Sequence, residues 1–177
     1  MTQEQQLKVY LDASLISDPH KIANMKDEEL EALSILSGNP RLKLYTSEKT
    51  KREIAKHENL KKRNYLVFLY NLIKKIPEEN TIESVPACFN MVGFDEATFD
   101  GSADIEDPLF ASLKKIFDED DAEHIFQAEK HNLDYFLTLD ERTILNRIRE
   151  KQNQLKILNL KIHIVSPTQI VTELKLK

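Results

Sequence analysis

The run Val9-Tyr10-Leu11 is short, apolar and rich in strand formers, as in a strand buried on both faces of a parallel sheet, and Asp12 follows it directly. Over Asp27–Ser37 the sequence DEELEALSILS puts acids first and apolar residues at helical spacing, then stops at Gly38, Asn39 and Pro40. That pattern predicts a helix with a defined end. Leu42 and Leu44 alternate about Lys43 as in a half-buried strand, and Thr46 and Ser47 offer cap hydroxyls to a following helix with Glu53 in its opening turns. A second helix is predicted over 59–76, with Leu60, Leu66, Leu69, Ile73 and Ile76 on its buried side and Pro77 ending it.

Residues 81–108 show no clear period and hold two glycines and two prolines, so they read as an irregular insertion. Helical pattern returns over 109–117, and the acids of 118–121 open another helix through Ala122, Ile125, Phe126 and Ala128. The most strand-like stretch, YFLTL at 135–139, ends in Asp140, which can cap a basic helix over 141–155. A last strand over 162–165 precedes Pro167 and a short terminal helix. Strand and helix alternate. The expected fold is therefore α/β, a single domain over residues 1–177 with a central, mostly parallel sheet flanked by helices.

The length of 177 residues suits one domain with a proper core, and 41% hydrophobic with 31% charged residues is an ordinary globular composition. The single cysteine, Cys88, excludes an internal disulfide framework and a thiolate zinc site, and points to a reducing compartment. No stretch approaches bilayer-spanning length and the start has no leader pattern, so a cytoplasmic protein without a membrane partner is expected. A net charge of -5 opposes a protein that coats nucleic acid, while leaving room for a local basic face. The three glycines, Gly38, Gly93 and Gly101, cannot supply a dinucleotide-binding or P-loop glycine motif, which excludes those nucleotide enzymes.

Candidate chemistry lies in the acids. Asp12 and Asp140 each follow an apolar strand, and strand C-termini line the ligand crevice of an open parallel sheet. Glu53 and Asp121 sit in neighbouring helices, so four carboxylates could converge on one edge. Crowded carboxylates must take up protons or gain a counter-charge, and Mg²⁺ or Mn²⁺ with oxygen ligands supplies one. Each acid also has a structural explanation: a T-K-R-E capping box for Glu53, a helix-dipole acid for Asp121, an N-cap for Asp140. Taken singly, those explanations win for Glu53 and Asp121 and balance the chemical one for Asp12. Their joint occurrence decides.

The joint pattern resembles the PIN domain family. VYLDASLI is similar to the family's first strand and leading aspartate, here Asp12, with Ser14 where a small hydroxyl or amide residue is usual. TSEKTKREI resembles the second motif and puts its acid on Glu53. DDAEHIFQAEKHNLDYFLTLD is similar to the third and fourth motifs, giving Asp121 and Asp140, and KIHIVSPTQIVTEL resembles the closing strand and helix. The chain departs from compact members in its longer spacing between Asp12 and Glu53 and in the 81–108 insertion, and Asp118 or Asp120 could replace Asp121 as third acid.

The resemblance implies a Mg²⁺- or Mn²⁺-dependent endoribonuclease acting on RNA without a side-chain nucleophile and leaving 5′-phosphate ends. Asp12, Glu53, Asp121 and Asp140 would be its metal ligands, directly or through water, with Ser14 and Thr138 orienting them. Many compact members are toxins, so the toxin half of a toxin-antitoxin pair, with an antitoxin protein as partner, is one reading, and a homodimer is compatible with it. The rival is a catalytically silent PIN-like module that binds RNA or protein. Lys49, Lys51, Arg52, Lys56, Lys61, Lys62 and Arg63 around Glu53, and Arg142, Arg147 and Arg149 after Asp140, are candidate phosphate guides, each weighed against a solvated helix face. His124, amid Ala122, Ile125 and Ala128, reads as a packing or surface residue.

Overall fold

The computed structural model describes residues 6–16, 24–86 and 102–176. Cys88, Gly93, Gly101 and the middle of the insertion lie outside them. Five parallel strands form the central sheet: β1 (Leu7–Leu11), β2 (Leu42–Thr46), β3 (Lys74–Lys75), β6 (Tyr135–Leu137) and β7 (His163–Val165), in the order β3-β2-β1-β6-β7. The chain moves outward from β1 on one side and returns to β6 on the other. The C-terminal ends of β1 and β6 therefore flank the point where strand order reverses, the place where an open α/β sheet leaves a crevice.

Side chains alternate across the sheet with the two-residue period of a strand. Tyr10 and Phe136, stacked with ring centroids 5.2 Å apart, face one way, towards α5 (Pro108–Leu113) and α6 (Glu119–Lys130) with Phe110, Leu113, Ile125 and Phe126. Val9, Leu11, Tyr135 and Leu137 face the other. They meet Ile16 of α1 (Ala13–Ile16), Leu36 of α2 (Asp27–Ser37), Ile54 of α3 (Glu48–Ala55), Leu66 and Tyr70 of α4 (Leu60–Leu72), and Ile170 of α9 (Pro167–Glu173). Both faces are covered, which explains the apolar β1 and β6 sequences. Among the described residues no helix is long and apolar enough to cross a membrane.

Several expected elements are redrawn. The helix over 59–76 stops at Leu72, and Lys74–Lys75 becomes a two-residue edge strand, so Ile76 is buried from an extended segment rather than a helix face. The insertion is not wholly irregular: β4 (Ile82–Pro86) and β5 (Ser102–Glu106) pair antiparallel. It is tied down at its base. Asp107 N donates to Thr81 O at 2.7 Å, and the Asp107 carboxylate caps α5 and pairs with Lys130 at 2.6 Å. Buried Gln127 acts as a surrogate peptide, accepting from Glu79 N at 2.8 Å and donating to Glu79 O at 2.7 Å. The helix over 109–117 is the shorter α5, because the chain turns through 114–117 before Asp118 opens α6. After β6 the chain makes a π-helical turn, Glu141–Leu145, then α7 (Asn146–Glu150) and α8 (Gln152–Leu158) in place of one helix over 141–155.

Candidate active site

Asp12 leaves the end of β1 with its N–H donating to Leu137 O at 3.0 Å, and the residue is 4% exposed. A carboxylate so buried needs donors in place of water. Asp12 Oδ2 accepts the Ser14 hydroxyl at 2.5 Å and the Thr138 hydroxyl at 2.7 Å. Thr138 Oγ1 in turn accepts Asp140 N at 2.9 Å, and Ser14 Oγ accepts Leu139 N at 3.1 Å. The two orienting residues read from the sequence thus bind the ends of β1 and β6 to each other and hold Asp12 in one position.

Asp140 caps the π-helical turn, its Oδ1 accepting from Thr143 N at 2.7 Å, so the N-cap explanation describes a real bond. Asp121, half-buried in the first turn of α6, is pushed up to about 6 by burial and by the charges of Asp12 and Asp140, against a hydrogen bond from the Thr143 side chain. Three carboxylates remote in sequence therefore share one electrostatic environment. Asp118 and Asp120 do not join it. Asp120 is bonded to Lys49, and Asp118 lies exposed at the start of α6, 3.6 Å from Arg147.

Glu53 occupies the second half of α3, not its opening turns; Ser47 is the N-cap residue, which removes the capping-box explanation. Its partner is His124, whose Nε2 donates to Glu53 Oε1 at 2.9 Å. His124 is buried and polar-bonded at both nitrogens, with Nδ1 2.7 Å from the Tyr10 hydroxyl, which is also 2.6 Å from Ser47 Oγ. Burial opposes a charged imidazole, but the Glu53 hydrogen bond and the charges of Asp12 and Glu53 outweigh it and raise the His124 pKa. Burial first, with the charges of Asp12 and Glu53, drives the Tyr10 pKa far upward, so that hydroxyl remains neutral. Glu53 thus borders the Asp12 environment with His124 as its hydrogen-bond partner. Sequence gave little notice of His124: an apolar helix face around a histidine reads as packing, and only its reach to Tyr10 and Glu53 distinguishes it.

Hard carboxylate oxygens are the donors Mg²⁺ and Mn²⁺ take, and mutual repulsion at Asp12, Asp121 and Asp140 is the condition a divalent cation relieves. Among the described residues no group of three or more His, Cys, Asp or Glu side chains is placed to hold a metal ion. The donor set suits an ion that takes one or two carboxylates directly and fills its shell with water and phosphate, as Mg²⁺ does.

The expected phosphate guides divide. Lys49 is buried between Asp120 and Glu123, and Arg52 bridges Glu78 and Glu123. Arg147 donates to Ile116 O at 3.0 Å, and Arg149 pairs with Glu141 at 3.0 Å. These four tie elements together. Against protein-family models, curated proteins and solved structures, the chain matches none.

Proposed function

We propose that this chain is a metal-dependent endoribonuclease that hydrolyses RNA phosphodiester bonds, in the manner of the PIN domain family its motifs resemble. The observation that carries the reading is the grouping of Asp12, Asp121 and Asp140 at the strand-order reversal, where burial first, and then the charges of Asp12 and Asp140, raise Asp121 to about 6. One or two of Asp12, Asp121 and Asp140 would hold Mg²⁺ or Mn²⁺ directly and the remaining acids, with Glu53, would act through water, while His124 fixes the Glu53 carboxylate. The bound ion supplies an acidified water as nucleophile and neutralises charge developing on the phosphate. The chain supplies position: Ser14 and Thr138 hold Asp12, and Thr143 holds Asp121 and Asp140. A cytoplasmic location agrees with the single cysteine. A toxin role, with an antitoxin protein or a second copy as partner, is a narrower form of the same reading.

Asp12→Asn tests it, because the amide retains an acceptor for Ser14 and Thr138 while removing one charge. Mn²⁺-dependent cleavage of mixed RNA should fall by roughly a hundredfold or more, since metal-borne charge stabilisation is worth several kcal/mol. The melting temperature should stay near native. Full activity in Asp12→Asn would remove Asp12 from the site, and metal-independent RNA binding without products would favour the silent module.

A further inference from the structure

Lys61, Lys62 and Arg63 differ from the cations of the acid edge. Among the described residues none of them has a carboxylate partner, whereas Lys49 and Arg52 are each held by two. The α4 sequence LKKRNYLVFLYNL contains no acid, and Lys74 and Lys75 follow it, in a chain whose net charge is -5. The helix is therefore net positive, with no acid of its own to offset its three cations.

Its outer face carries a second anomaly. Leu66 and Tyr70 are buried against the sheet, and on the opposite side Lys61, Tyr65, Phe68 and Leu72 fall in line at steps of four, three and four residues. Tyr65 is 60% exposed, Phe68 57% and Leu72 70%. A solvated helix face does not require three large apolar side chains in register, and such patches mark contact surfaces. Aromatic planes beside unpaired cations match single-stranded nucleic acid, whose bases offer flat π faces and whose phosphates seek cations. The helix itself packs through its inward side on α3, the helix of Glu53, with the Tyr70 hydroxyl donating to Glu48 at 2.9 Å.

We propose that the outward face of α4 is a contact surface for single-stranded RNA, with bases stacking on Tyr65 and Phe68 and phosphates taken by Lys61 on that face and Lys62 on its flank. The identity of the polymer rests on the ribonuclease reading; the surface itself uses none of the acids. Fluorescence anisotropy with a fluorescein-labelled, mixed-sequence single-stranded RNA tests it, using the full chain in EDTA at several salt concentrations and the same sequence as a duplex for comparison. The single strand should bind more tightly than the duplex, whose bases cannot stack on protein. Tyr65→Ala with Phe68→Ala should weaken binding about tenfold or more. Lys61→Gln and Lys62→Gln together should flatten the log–log salt slope by about 1.4, from about 0.7 per phosphate contact.

Circular dichroism and melting of both variants should stay near native, since these side chains lie at the surface. Unchanged affinity in the aromatic variant and an unchanged slope in the charge variant would overturn the surface. So would loss of self-association in sedimentation with RNA affinity intact, which would give the face to a protein. A native chain that cleaves no RNA with Mn²⁺, yet binds it with these sensitivities, sinks the ribonuclease reading and leaves the surface standing. Undiminished kcat/KM for RNA in both variants does the reverse.

Discussion

The Thr138 hydroxyl donates to Asp12 Oδ2 at 2.7 Å across 126 positions of chain, and the same oxygen accepts the N–H of Asp140 at 2.9 Å. One buried side chain thus sets both the acid after β1 and the acid after β6. Thr138→Val keeps the shape and removes the hydroxyl. Loss of a hydrogen bond to a charged group should cost about 1.5–3 kcal/mol. In a domain of this size that lowers the melting temperature by roughly 3–12 °C. RNA cleavage should fall with it, because Asp12 and Asp140 lose their common reference. Wild-type melting in the valine variant would show that the bond is not formed in solution.

Tyr10 makes a comparable link on the other side of the site, joining Ser47 to His124 and through it to Glu53. Tyr10→Phe preserves the stack on Phe136 and leaves Ser47 Oγ and His124 Nδ1 short of a buried partner. The expected cost is about 1–3 kcal/mol, read by thermal or urea denaturation. His124→Gln should reduce cleavage more than Tyr10→Phe does, since it removes the group that touches Glu53. Equal activity in both variants and the native chain would make this chain of bonds purely architectural.

Much of this arrangement was readable in the sequence, and the exceptions have causes. The β1 and β6 strands, the Asp27–Ser37 helix and the Ser166-Pro167 helix start show because each buries a face or a cap that fixes residue type. Asp12 and Asp140 follow from their strands. A two-residue strand such as Lys74–Lys75 is too short to carry a period, and its exposed lysines at the sheet edge read as solvated helix. The arms Ile82–Pro86 and Ser102–Glu106 are mixed in polarity and far apart in sequence, so no local turn signal announces their pairing. Glu53 sat in a plausible T-K-R-E cap, yet the helix begins earlier, at Ser47, whose hydroxyl serves Tyr10 instead.

Asp121 predicts a pH dependence. Its folded value, about 6, stands above its ordinary 3.8, so the folded chain holds this proton more tightly than the unfolded chain. The corresponding stability is full below pH 4 and is lost as pH rises through about 6. Asp121→Asn removes the ionisation and should be more stable than the native chain at pH 8, by on the order of 1–3 kcal/mol, with the advantage gone near pH 4. Mg²⁺ or Mn²⁺ should raise the native melting temperature at pH 8 more than that of the variant. A variant less stable than native at pH 8 would contradict the burial and repulsion that raise Asp121.

Lys49 separates cations that hold the fold from cations that meet a ligand. It is buried between Asp120 and Glu123; burial opposes its charge, but the bonds to those two carboxylates prevail and raise its pKa. Lys49→Gln leaves Glu123 to Arg52 alone and Asp120 to solvent, which should cost about 1–3 kcal/mol in chemical denaturation. The salt slope of RNA binding should not change, because a lysine already neutralised by two acids releases no counterion from a phosphate. Lys61→Gln should do the opposite, lowering the slope by about 0.7 with native stability. If Lys49→Gln flattens the slope as Lys61→Gln does, the pair with Asp120 opens to admit RNA, and the division of the cations into structural and ligand-facing sets fails.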